Sequence, residues 1–239
     1  MAPQWLALAA LSAAVTVLYV RLGLCYASSL MLAASLCGYS LRYSIPSILA
    51  TQVAISILAG ALRMREAGNQ RAEVAKLGAL AGSSALAAVV AATLLGVRLC
   101  DWARLAASAA ALAAASITNA LSRSEPRAAT PKLCVAMGIA AGFFKGVVGG
   151  GANGVLILAQ RVARVSIDRA THLALLTQVA MTLAALAPYA ALSPSPQLSI
   201  AALPPLLAGS IAGCLASLAI PRVTSLRTRT VAASLTTLA

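Results

Sequence analysis

The sequence predicts an all-α membrane protein, and three observations lead to this class. Of its 239 residues 61% are hydrophobic and 10% are charged, whereas a soluble globular protein carries about 25% charged residues. The mean hydropathy is +0.90. Most apolar blocks are about as long as the roughly 20 residues that a helix needs to cross the hydrocarbon layer, and they lack the two-residue alternation of a β-barrel.

Ten apolar segments can be marked along the chain. They cover residues 4–20, 24–41, 45–62, 74–97, 103–121, 132–148, 152–163, 167–190, 198–219 and 225–239. The second and seventh are short, and the seventh would give about 18 Å of helix against a hydrocarbon core of roughly 30 Å. We therefore expect either ten segments with two half-helices among them, or eight full spans plus two shorter elements.

The two halves of the chain resemble each other. Thr51-Gln52-Val53-Ala54 recurs as Thr177-Gln178-Val179-Ala180, and Leu80-Ala81-Gly82-Ser83 recurs as Leu207-Ala208-Gly209-Ser210, at nearly the same offset. Coincidence in an Ala-rich chain is the alternative explanation. The pattern predicts a first membrane repeat at 1–122, a cytoplasmic linker at 123–131 and a second membrane repeat at 132–239.

The basic residues predict the orientation. With ten spans, one set of alternate loops holds 14 of them and the opposite set holds three, Arg42, Arg98 and Arg104. The positive-inside rule makes the richer side cytoplasmic and places both termini outside. Five segments per half then make the repeats inverted, as in many secondary transporters. We interpret the net charge of +13 as topology in a multi-pass plasma-membrane protein, not as nucleic-acid binding.

The stretch Gly142 to Gln160 combines a lysine and a run of glycines with apolar surroundings, and its counterpart in the first half is Arg21 to Ser29. Consecutive glycines interrupt a helix, and the backbone N–H groups that begin the next helix form a natural anion site. The predicted binding residues on the second-half side are Lys145, Gly149, Gly150, Gly151 and Asn153, and on the first-half side Gly23, Tyr26, Ser28 and Ser29.

Lys145 has two further interpretations: its side chain could reach the cytoplasmic interface, or it could anchor the outer face. The symmetry mates Gln52 and Gln178 either line the solute cavity or join helices by hydrogen bonds. All five carboxylates lie in or beside predicted loops, which favours an anionic solute over a cation: Glu66, Glu73, Asp101, Glu125 and Asp168. No carboxylate pair, metal cluster or Ser–His arrangement indicates an enzyme, a metal or a cofactor.

The motif GFFKGVVGGGANG at 142–154 resembles the glycine-rich signature of the sulfite exporter TauE/SafE family of membrane permeases. The first half, from LGLCYASS at 22–29 to the basic loop that ends in Gly68-Asn69, is similar to the family's first-half motif. The resemblance implies transport of a small sulfur-containing anion such as sulfite, thiosulfate or an organosulfonate like taurine. Val155–Leu158 stands where the family usually carries a proline, so the alternative is a non-transporting membrane subunit of the same fold.

Overall fold

The computed structural model describes residues 2–22, 25–64, 71–121, 131–150, 152, 156, 167–192 and 202–219. Within them the chain is all-helical. The helices are α1 (Ala2–Leu22), α2 (Tyr26–Leu36), α3 (Leu41–Met64), α4 (Arg71–Leu94), α5 (Asp101–Leu121), α6 (Pro131–Val148), α7 (Ile167–Ala191) and α8 (Leu203–Ala219), with a 3-10 turn at Gly96–Arg98. These helices correspond to eight of the ten predicted segments.

The seventh and tenth predicted segments lie outside the described residues, apart from Ala152 and Leu156, which are helical and buried. The predicted linker 123–131 also lies outside them, except for Pro131, the first residue of α6. Four stretches among the described helices are long and apolar enough to cross a membrane: Gln4–Arg21, Leu41–Ala61, Leu80–Arg98 and Ala174–Ala191.

Helix α2 has only 11 residues, so it spans about 17 Å, roughly half the hydrocarbon thickness. It ends five residues before the predicted boundary because Gly38 adopts a φ of 80°. The Gly38 N–H donates to the Ser35 carbonyl (3.0 Å) and the Tyr39 N–H donates to the Ala34 carbonyl (2.9 Å), which is the Schellman ending of a helix. The expectation of a short second helix is confirmed.

Asp101 begins α5 and at the same time caps α3. Its carboxylate accepts hydrogen bonds from the backbone N–H groups of Leu41 (3.1 Å) and Arg42 (3.0 Å) and from the Ser40 hydroxyl (2.9 Å). These are donors that the first turn of a helix leaves unsatisfied. Asp101 therefore lies beside a connection, as predicted, and serves a structural purpose there.

Two helix pairs make the closest approaches, α1 with α8 and α4 with α6. A Cβ atom on Gly209 of α8 would collide with the backbone of Ala9, and one on Gly142 of α6 would collide with the backbone of Ser84. Such small-residue contacts are typical of helices that pack in lipid. Helices α3 and α7 pack against each other and connect the two pairs, since α3 also contacts α8 and α7 also contacts α4.

The described surface is apolar, whereas many polar side chains are buried. Leu36 is 85% exposed and Trp102 is 74% exposed, and Leu6 and Leu86 are similarly uncovered. Fully buried polar side chains include Ser12, Thr16, Thr51, Thr177 and Thr182. This is the reverse of a water-soluble protein, in which buried polar residues are the exception.

Candidate functional site

The glycine break follows α6 directly. The last helical hydrogen bond of α6 in the described residues runs from the Gly149 N–H to the Lys145 carbonyl (2.8 Å). Gly149 then adopts a φ of 84°, which lies in the left-handed region. This region is unfavourable for residues that carry a side chain. Gly150 is non-helical and buried. The predicted end of this helix at the glycines is therefore confirmed.

In the corresponding break of the first half, the residue at the cap position of α2 makes no side-chain cap among the described residues. Helix α1 ends at Leu22, and Cys25 occupies the cap position of α2 without a side-chain hydrogen bond to the helix. The backbone N–H groups of the first turn of a helix have no partner within it, and they carry the positive end of its dipole. The first turn of α2 thus presents donors suited to an anion.

The two breaks meet in space. A Cβ atom added to Gly150 would lie 2.6 Å from the Ser28 Oγ and 2.9 Å from the Ser28 backbone nitrogen. One added to Gly149 would lie 2.9 Å from the Met31 Cε. The absence of side chains at both glycines therefore lets the chain at the end of α6 approach the first two turns of α2.

Ser28 has an unusual environment. Its side chain is 0% exposed, and its Oγ makes no hydrogen bond within the described part of the structure. A buried hydroxyl without a partner costs about 1–3 kcal/mol, and most buried polar groups avoid this cost. The Ser28 hydroxyl is thus an unused donor beside Gly150 in the first turn of α2.

Lys145 lies one helical turn before Gly149 and is 1% exposed. Its Nζ donates a hydrogen bond to the Gln52 Oε1. Both interfacial interpretations of this lysine are therefore wrong, because its side chain is enclosed by protein. Among the described residues it forms no ion pair, and a buried ammonium next to a neutral amide is costly.

Gln52 and Gln178 connect α3 to α7. The Gln52 Nε2 donates to the Gln178 Oε1 (2.9 Å), and the Thr182 Oγ1 approaches the same oxygen at 3.4 Å. The interpretation of these glutamines as a bond between helices is confirmed. Gln52 makes a second hydrogen bond, because its Oε1 also accepts from the Lys145 Nζ.

Other predicted site residues are engaged elsewhere or lie outside the described part. The Tyr26 hydroxyl is 2.5 Å from the Ser210 Oγ of α8, and the Ser29 hydroxyl donates to the Cys25 carbonyl (3.1 Å). Gly23, Gly151 and Asn153 lie outside the described residues. The structure thus brings Gly150 to Ser28, Gly149 to Met31, and Lys145 to Gln52, which in turn bonds to Gln178.

Sequence reasoning missed a second buried cation. The charge pattern predicts a loop position for Arg104, but this residue lies in the first turn of α5 and is 1% exposed. Arg104 therefore does not belong among the three basic residues counted in the loops of the opposite side. The available signal was its spacing from Ser108, since residues four apart share a helix face and Ser108 is also buried.

Comparisons of the chain with models of protein families, with curated proteins and with solved structures found no match. The resemblance to sulfite exporter permeases therefore stays a prediction from the motifs.

Proposed function

We propose that the protein is a multi-pass permease of the plasma membrane that binds a small anion and moves it by alternating access, without enzymatic activity. The apolar surface and the four helices of membrane-spanning length support the location in a bilayer. The distribution of basic residues supports an orientation with both termini outside.

The contacts between helices support two inverted repeats. In the two repeats, α1 corresponds to α6 and α4 corresponds to α8. The contact between α1 and α8 therefore corresponds to the contact between α6 and α4, and both are close small-residue contacts. Gln52 and Gln178, 126 residues apart, bond directly to each other. A two-fold axis between the halves would bring such symmetry mates together, and transporters of this kind hold their substrate at the repeat interface.

The observation that carries the anion assignment is the buried ammonium of Lys145, whose described partner is a neutral amide. An anion would neutralise this charge and accept hydrogen bonds from Ser28 and from the first turn of α2. The motif resemblance favours a sulfur oxyanion or organosulfonate, such as sulfite, thiosulfate or taurine.

The test is thermal unfolding of the purified protein in detergent with sulfite, sulfate, thiosulfate or taurine, at ionic strength matched with sodium chloride. A ligand that binds only the native state at 100 times its Kd stabilises it by about 2.7 kcal/mol. We expect stabilisation by at least one of these anions, and its loss in Lys145→Gln.

Lys132→Gln is the matched control, because it removes the same charge from an exposed position on the same helix. We expect it to keep the response of the wild type. If none of the four anions stabilises the wild type, the permease assignment fails and the non-transporting subunit is favoured.

A further inference from the structure

Three elements converge on the end of α6, at the point where the glycine break begins. The Tyr189 hydroxyl of α7 shares its single proton between the Gly146 carbonyl (2.9 Å) and the Val147 carbonyl (3.1 Å). These carbonyls belong to the last turn of α6, where a helix leaves its acceptors unsatisfied. Tyr189 therefore caps α6 from a neighbouring helix.

Arg104 holds the capping hydroxyl in place. Its Nη1 donates to the Tyr189 hydroxyl (3.0 Å), and its guanidinium lies 5.4 Å from the centre of the Tyr189 ring. Its Nε donates to the Leu99 carbonyl (3.1 Å), and its Nη2 donates to the Gly96 carbonyl. Arg104 thereby ties α5 and the 3-10 turn to the cap, and its charge lies near the negative end of the α6 dipole.

The 3-10 turn fits this arrangement only because residue 96 is a glycine. A Cβ atom there would collide with the Gly146 carbonyl oxygen and would lie 2.5 Å from the Tyr189 hydroxyl. The end of α4 is thus packed directly onto the end of α6. The contacts of Gly96, Tyr189 and Arg104 therefore restrain the last turn of α6.

We propose that Arg104 and Tyr189 are positioning residues for the anion site, because they fix the end of α6 and thereby hold Gly150 against the first turn of α2 and Gly149 against Met31. This inference rests on the proposed function. Neither residue touches the anion; both act through the backbone of α6. Removing the Tyr189 hydroxyl would remove the one proton that these two carbonyls share and let the glycine break move away from Ser28.

The experiment uses Cys25 as a local probe of the break. Cys25 is 4% exposed and occupies the cap position at the start of α2, within the first-half break. In a variant whose other four cysteines are replaced by alanine, the rate of modification by N-ethylmaleimide in detergent measures how often this region opens. We expect Tyr189→Phe to raise that rate about five- to tenfold, as the loss of one buried hydrogen bond predicts.

The same variant is expected to weaken binding of the most stabilising anion by a similar factor, with helical content unchanged by circular dichroism. Arg104→Lys should act in the same direction, because an ammonium cannot reproduce the three-way contact of the guanidinium. Tyr39→Phe is the control, since it makes the same chemical change at a half-buried position between α2 and α3. We expect it to change neither quantity.

The outcomes separate the two proposals. A Cys25 modification rate in Tyr189→Phe equal to that of Tyr39→Phe overturns the positioning role, and so does a raised rate with unaltered anion affinity. Absence of anion binding in the wild type overturns the proposed function instead. The Cys25 rate, which needs no anion, then still decides whether Tyr189 holds the end of α6.

Discussion

Replacing Ser28 with alanine is predicted to stabilise the anion-free protein and to weaken its anion binding. The Ser28 Oγ is buried and makes no hydrogen bond in the described part of the structure. Removing it relieves an unsatisfied polar group, which we expect to raise the free energy of unfolding by about 1 kcal/mol. If the hydroxyl donates to the bound anion, its loss also raises the Kd about five- to tenfold.

Ser12→Ala is the matched control. Ser12 is equally buried, but its hydroxyl donates to the Leu206 carbonyl (2.9 Å) and lies 2.6 Å from the Ser210 Oγ. Its replacement should lower the free energy of unfolding by about 1 kcal/mol, as expected for hydrogen bonds between membrane helices. The two serine variants should thus differ by about 2 kcal/mol, with opposite signs.

The assay is equilibrium unfolding in mixed micelles of dodecyl maltoside and sodium dodecyl sulfate, followed by circular dichroism without and with the anion. The advantage of Ser28→Ala should vanish at saturating anion, because the wild-type hydroxyl is then satisfied. If Ser28→Ala lowers the free energy of unfolding as much as Ser12→Ala does, the hydroxyl has a structural partner and the reasoning is refuted.

Two further predictions concern the same region. Gly150→Ala should lower the free energy of unfolding by about 1–3 kcal/mol, because the added Cβ would overlap the first turn of α2. Gly82→Ala is the control, because nothing lies within 4 Å of its added Cβ. We expect Gly82→Ala to raise the free energy of unfolding by up to about 1 kcal/mol. Equal effects of the two glycine variants would contradict the close approach. Gln52→Leu should cost about 1.5–3 kcal/mol, since it removes the acceptor of the buried Lys145 charge. Gln178→Leu removes the amide–amide bond and the Thr182 contact at 3.4 Å, but leaves the acceptor of Lys145 in place. It should cost about 0.6 kcal/mol per lost bond, and a reversed order in micelle unfolding would refute this assignment.

The helices themselves could be predicted from the sequence, because apolar runs bounded by basic residues and glycines leave few alternatives. Helix α6 ends where the glycines begin, and the repeated Thr-Gln-Val-Ala tetrapeptide marks Gln52 and Gln178, which meet in the structure. The approach of Gly150 to Ser28 follows from the same reasoning, since both residues lie at breaks at matching places in the two halves.

The contacts made by long side chains could not be predicted. The position of Lys145, 13 residues after Lys132, indicates that it lies far along α6 from that lysine, but not that a glutamine of α3 accepts its hydrogen bond. The prediction of a surface position for Arg104 is wrong, although an arginine near a helix start usually lies at the surface. Its burial depends on Tyr189 and on the carbonyls of two other segments, which are distant in sequence.

Flux measured in proteoliposomes tests the central claim most directly. Wild-type protein and the Lys132→Gln control should give saturable uptake of radiolabelled sulfite above that of empty liposomes, and Lys145→Gln should reduce it to near the empty level. Uptake by the wild type no greater than by empty liposomes, or equal uptake by wild type and Lys145→Gln, would contradict the account.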